Sequence, residues 1–186
     1  MGITRYRNVE RIVRVITMNI FVLDNNPIKA AAAMDCVRVP KMVTESAQMM
    51  ASALRRHGAT DDMMPLTKAG KPYKGGYHHH PCTIWAGDSR ANFKWLAHHA
   101  EALLDEYYHR FGKVHACHNP IYQMSSMSKM ISEDDLTPFA QAMPDEYKDD
   151  DAVKAYRAYY HSKADSKGGV HYRHTSPPDW WMGVTA

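Results

Sequence analysis

Between Ser89 and Gly112 the apolar residues Phe93, Leu96, Ala100, Leu103, Tyr107 and Phe111 recur at steps of three and four, the spacing of one face of an α-helix. That face is expected to be core, and the rest of the chain to be arranged around it. A second stripe shares the helix. Asn92, His99, Glu106 and Lys113 stand seven residues apart, a step that returns to almost the same face with about 20° of drift. Arg110 follows Glu106 by four residues and can pair with it. An amide, an imidazole, a carboxylate and two cations on one helix edge make either a site or a solvated edge, and the pattern leaves both open.

The 186 residues suit one domain able to bury a core without staples. A hydrophobic content of 45% with 23% charged residues is globular, and no apolar run has the length of a membrane span. The net charge of +3 leaves room for a local anion site but is too small for a nucleic-acid coat. Thirteen methionines are expected to fill core gaps, and twelve histidines supply groups that titrate near neutrality. Three cysteines in no framework spacing point to reduced thiols inside a cell.

Residues 1–17 form a basic extension with Arg5, Arg7, Arg11 and Arg14, ahead of a second methionine, Met18, that opens the first persuasive folded stretch and is an alternative start. MNIFVLD, from Met18, is apolar and β-prone, and Asn25, Asn26 and Pro27 then supply a turn and a helix start leading to a short helix over 30–34. Pro40 begins a longer helix with Met42, Ala47, Met49, Met50, Ala53 and Leu54 as core and Gly58 as its stop. The stretch 59–76 reads as a loop carrying Lys68, Lys71 and Lys74. After the central helix, 118–129 reads as irregular, and Ser132 with Glu133, Asp134 and Asp135 as a helix start. A packed turn over 139–148 and a last helix over 151–163 follow. The tail, 166–186, is irregular, and its Trp180 and Trp181 are expected to dock on the body, with base stacking as the alternative. The resulting expectation is a mainly α, compact single-domain helical fold over 18–165 with at most a short N-terminal strand or hairpin.

Phosphate-binding glycine loops, dinucleotide fingerprints, serine elbows and Cys-x-x-Cys pairs are missing. His78 to His80, His115, Cys117 and His118 offer metal-ligand types, but not at a ligand spacing, so neither metal nor cofactor is expected. Cys82 reads as an inert buried thiol. A general acid–base site is the more economical reading. His80 is oriented by Pro81, and if the two long helices pack, Lys41, Glu45, Asn92, His99 and Glu106 converge in a groove bordered by Arg90, Lys94, Arg110 and Lys113. Lys41 and Glu45, at i and i+4, also suit a plain surface ion pair.

The stretches MNIFVLDNNP, VPKMVTESAQMM, HHPCTIWAGDSRANFKWL, EYYHRFGKVH, QAMPDEYK and DAVKAYRAYY resemble those of a group of small bacteriophage proteins. Their order more distantly resembles the pyrimidine-dimer DNA glycosylase family of the endonuclease V type, in the turn at Met18 to Pro27, the Ala47-Gln48 step, His80-Pro81 and the basic aromatic segment Tyr107 to Lys113. That resemblance implies a compact all-helical fold that binds DNA, flips a nucleotide and attacks the sugar carbon with an N-terminal amine, assisted by a glutamate and arginines. Seventeen residues precede Met18 here, and Asn19 stands where the best-known members have a threonine.

The leading functional expectation is therefore a phage-type enzyme of the host cytoplasm that acts on DNA at a pyrimidine nucleotide. Glu45 serves as carboxylate, His80 and His99 as proton-transfer or orienting groups, Asn92 and Glu106 complete the site, and Trp85 and Trp95 wall a base pocket. The cationic border, Lys41 included, holds the DNA backbone. A transferase that modifies thymine-derived bases and a non-enzymatic accessory protein binding a host protein or nucleotide are the alternatives.

Overall fold

The computed structural model describes residues 18–166 and 168–183; the basic extension, 1–17, lies outside the described residues. Among these, six α-helices carry the fold: α1 Pro27–Ala32, α2 Arg38–Arg56, α3 Pro81–Ala86, α4 Arg90–Phe111, α5 His118–Ser126 and α6 Ala152–His161. Single 3-10 turns lie at Ser128–Met130 and Asp145–Tyr147. No strand forms among the described residues; Leu66 and Pro72 make an isolated antiparallel bridge. The fold is mainly α.

α4 sits in the middle and packs on α1, α2, α3 and α5. Phe93, Leu96, Ala100 and Leu103 are fully buried along it. It starts where Ser89 Oγ accepts from Asn92 N at 3.0 Å and stops at Gly112, whose φ of 63° is the left-handed conformation that ends helices. α2 turns Met42, Val43, Ala47, Met49, Met50 and Leu54 inward, so flexible methionine side chains fill much of the α2–α4 interface.

Arg110 explains why α1 stays attached to α4. Its guanidinium is buried, donates to the carbonyl oxygens of Met34 and of Ala32 (3.1 Å), and pairs with Glu106 at 2.6 Å. Those carbonyls lie at the C-terminal end of α1 and have no helical partner of their own. A buried charge satisfied on every side thus fastens α1 to the longest helix, α4.

The structure departs from the sequence expectations in four places. α1 spans Pro27–Ala32 rather than 30–34, because Asn26 Oδ1 caps Ile28 N and Lys29 N. α2 begins at Arg38, with Pro40 in its first turn, where a missing N–H costs nothing. The stretch at 118–126 is helical rather than irregular: Pro120 occupies its first turn and Ile121 and Met124 are buried one turn apart. Ser132 starts no helix. Its carbonyl accepts from Arg90 N at 3.0 Å, Ile131 O accepts from Arg90 Nε at 3.0 Å, and Asn92 holds Thr137, so tertiary hydrogen bonds keep this segment non-helical despite its capping signal.

The tail runs back over α1 and α6. Cys36 N donates to His171 O at 2.9 Å, Tyr172 OH to Ala33 O at 2.9 Å, and Trp181 lies stacked on His161 with centroids 4.7 Å apart. Docking of the tail is what its two tryptophans led us to expect.

Candidate active site

Glu45 lies on the face of α2 that meets Asn19, next to the first described residue, Met18. Its Oε2 accepts from the backbone N of Asn19 at 3.0 Å, and its Oε1 lies 3.4 Å from Lys41 Nζ. Only 13% of the side chain is exposed. Burial pushes its carboxyl above the ordinary carboxylate range, against the opposing pull of Lys41 and the Asn19 amide. The result is a mostly buried carboxyl whose neutral form is favoured by burial.

Asn19 is the residue that sequence reasoning passed over. Its Oδ1 accepts from Ile20 N and Phe21 N at 2.8 and 2.9 Å, its Nδ2 donates to Ala142 O at 2.8 Å, and its own amide meets Glu45. These bonds wind the entry into a tight turn, with Phe21 at a φ of 41°, a conformation that an aromatic residue rarely holds. The available signal was an asparagine directly after Met18, a strong turn former at the head of an apolar run.

α3 closes the other side. His80 caps it through Nδ1, which accepts from Cys82 N at 3.2 Å, so the neutral ring carries its proton on Nε2. Burial lowers the imidazole's pKa. Cys82, two residues on, is fully buried, its Sγ 3.9 Å from Tyr156 OH. Burial, with the Glu45 charge adding, pushes this thiol up to about 12, leaving it inert. Thr83 Oγ1 contacts Met18 Sδ at 3.4 Å. Seven residues beyond Glu45 on the same face of α2, Ser52 helps line a cleft of about 540 Å³ with Arg55, Arg56, His78, His79 and Ile84. Here the loop comes so close that Ser52 Oγ binds both O and N of Gly76, and Gly75, at φ 77°, has no room for a side chain.

The expected groove between α2 and α4 is not what forms. Among the described residues the polar partners of Glu45 are Asn19 and Lys41, and none is Asn92, His99 or Glu106. Asn92 is fully buried and binds Trp85 O at 2.8 Å and both the hydroxyl and amide of Thr137 at 2.7 and 2.9 Å. His99 is buried without a hydrogen-bond partner and stacks on Trp95 at 5.1 Å. Glu106 serves Arg110.

The cationic border is likewise dispersed. Arg110 points inward, and Arg90 binds Ile131 O and pairs with Glu133 at 3.0 Å. Lys94 shares a depression of about 370 Å³ with Arg90 and the carboxylates of Glu133, Asp134 and Asp135. Lys113 is exposed beyond the end of α4. Trp85 and Trp95 pack on each other and on Phe139, and Trp95 Nε1 donates to Asn25 O at 2.7 Å. Both indoles are thus core.

A mainly helical, compact body with a largely buried carboxylate on α2, met by the Asn19 amide, defines a class of compact helical protein. The sequence model of the pyrimidine dimer DNA glycosylases matches residues 18–119, and the chain belongs to that family. The matched segment contains Asn19, Lys41, Glu45 and His80 together. Neither curated proteins nor solved structures give a match. Among the described residues no helix is long and apolar enough to cross a membrane.

Proposed function

We propose that this protein removes a damaged or modified pyrimidine base from DNA, with Glu45 as its essential carboxylate. The observation that carries the reading is the Glu45 carboxylate itself, largely withdrawn from water, met at 3.0 Å by the Asn19 amide and lying inside the segment shared with the family. Breaking the bond between C1′ and the base leaves positive charge on the sugar as the base departs with the electron pair. An ionised carboxylate beside C1′ stabilises that charge, water adds its oxygen to C1′, and the proton that this water loses ends on the departing base. His80, neutral with its proton on Nε2, donates a hydrogen bond to the departing base. Lys41, beside Glu45, supplies charge for the phosphodiester backbone, and the base is drawn out of the duplex before it reacts. The resemblance of stretches such as MNIFVLDNNP to small phage proteins supports the host cytoplasm as the setting of this activity.

The test is mass analysis of bases and nucleosides after incubation with ultraviolet-irradiated and base-modified DNA. Free pyrimidine base is expected, and Glu45→Gln should lower its release by about 10²-fold or more. Full activity in Glu45→Gln would overturn the site. A base that gains mass without leaving the DNA would mark a transferase instead. Neither change, together with binding to a host protein, would mark an accessory protein.

A further inference from the structure

The loop that leads into α3 presents an aromatic ring that the fold itself does not use. Tyr77 is 45% exposed, and among the described residues its side chain has no hydrogen-bond, ring or cation partner. Its φ of 53° is left-handed, a conformation that a bulky residue holds only where the surrounding structure dictates it. That dictation is visible on both sides of it. Arg55 donates to Tyr73 O at 2.9 Å, Ser52 Oγ binds both N and O of Gly76 at 2.8 and 2.9 Å, and His80 N donates to Tyr77 O at 2.8 Å. The backbone under the ring is therefore fastened to α2 before it and to the cap of α3 after it.

The surroundings of the ring suit a DNA duplex. Ser52 follows Glu45 by seven residues and so returns to the same face of α2. The two lie roughly 10 Å apart along the helix, about three base-pair steps. The exposed His78 and His79, directly after Tyr77, line the cleft with Arg56 and with Ile84, itself 40% exposed. His80, the donor to the departing base, closes the turn that Tyr77 opens. A nucleotide drawn out of a duplex leaves a gap between its neighbours, and proteins that disturb the stack fill such gaps with apolar wedges. A wedge that is rigid beforehand loses little freedom on entering.

We infer that Tyr77 is a positioning residue that enters the stack and occupies the gap left by the extruded nucleotide, keeping that nucleotide at Glu45 and His80. The inference rests on the base-removal reading. It also names the state of the substrate that the site takes, a duplex with one nucleotide withdrawn from its stack. The ring acts by stacking on the flanking bases, so its hydroxyl is dispensable.

The test measures the affinity of the full chain for two duplexes of one sequence, one intact and one carrying a preformed abasic nucleotide, whose stack already has the gap. The unaltered chain is expected to prefer the abasic duplex. Tyr77→Asn, which removes the ring yet tolerates the left-handed turn, should cut that preference by about tenfold, the scale of base–aromatic stacking, and Tyr77→Phe should restore it. No preference in the unaltered chain, an unchanged preference in Tyr77→Asn, equal weakening on both duplexes, or loss in Tyr77→Phe would each overturn the inference. If Tyr77→Asn melts below the unaltered chain, Tyr77→Gly, which bears no left-handed penalty, decides in its place. Because no base has to be removed in this assay, the two readings fail separately. Base release without a Tyr77-dependent preference sinks only this inference, and a Tyr77-dependent preference without base release sinks only the base-removal reading.

Discussion

His99 and Glu45 show how differently two titratable side chains on neighbouring helices behave. His99 is completely enclosed, has no partner for either ring nitrogen and is pushed down to about 3 by burial. It is neutral wherever the protein is folded at ordinary pH. Its folded pKa lies below the unfolded value near 6.5, so unfolding is favoured by protonation once the pH drops below that value. Stability is therefore full above about pH 6.5 and falls by at most about 1.4 kcal/mol per pH unit toward pH 3 from this group. His99→Phe, which keeps the stack on Trp95, should flatten that dependence in urea titrations between pH 7 and 4; an unchanged slope would show that other groups cause it. Glu45 has the opposite sign. Its folded carboxyl is raised, so its ionised form is disfavoured by folding and the cost appears as the pH rises past the ordinary value near 4.5. The sequence showed that both residues are titratable and sit on helices. It did not show that one would be sealed in and the other left against the Asn19 amide.

At the scale of elements, α4 was legible almost to its ends. Its 3.6-residue periodicity, Ser89 before it and Gly112 after it are local signals that the tertiary fold obeys. The polar stripe was legible as a stripe but not as to its use. Asn92 became a staple for the segment around Thr137, and Arg110 with Glu106 became the clamp on α1, because an inward-facing amide or guanidinium satisfies carbonyls that no helix can pair. Arg110→Met should accordingly destabilise the protein by about 3 kcal/mol, since it strands Glu106 and the α1 carbonyls. Denaturant midpoints check this, with hydrogen exchange in α1 expected to rise first. A change below about 0.5 kcal/mol would mean that Arg110 is a surface cation in solution. The same logic explains Ser132: its capping signal is sound, yet Arg90 claims the backbone that a helix would need.

For the molecule as a whole, the tail decides how α6 is held. Trp181 is buried against His161 and near Tyr160, so Trp181→Ala should cost about 3 kcal/mol, within the range for removing a large core aromatic. A loss of that size in thermal or urea unfolding confirms a docked tail. No loss would return the indole to the role of a ligand-binding surface.

The helical class, the burial of the apolar face of α4 and the caps that bound it were determined by the order of residues alone, because periodicity and capping act within a few residues of themselves. Which polar groups share a site was decided only by the tertiary structure. The Asn19 amide meets Glu45 across a separation of 26 residues, and the Tyr159 ring of α6 reaches the same corner by stacking on Phe21. Such meetings depend on how helices pack and on which buried carbonyls and carboxylates must find donors, and no local pattern encodes that balance.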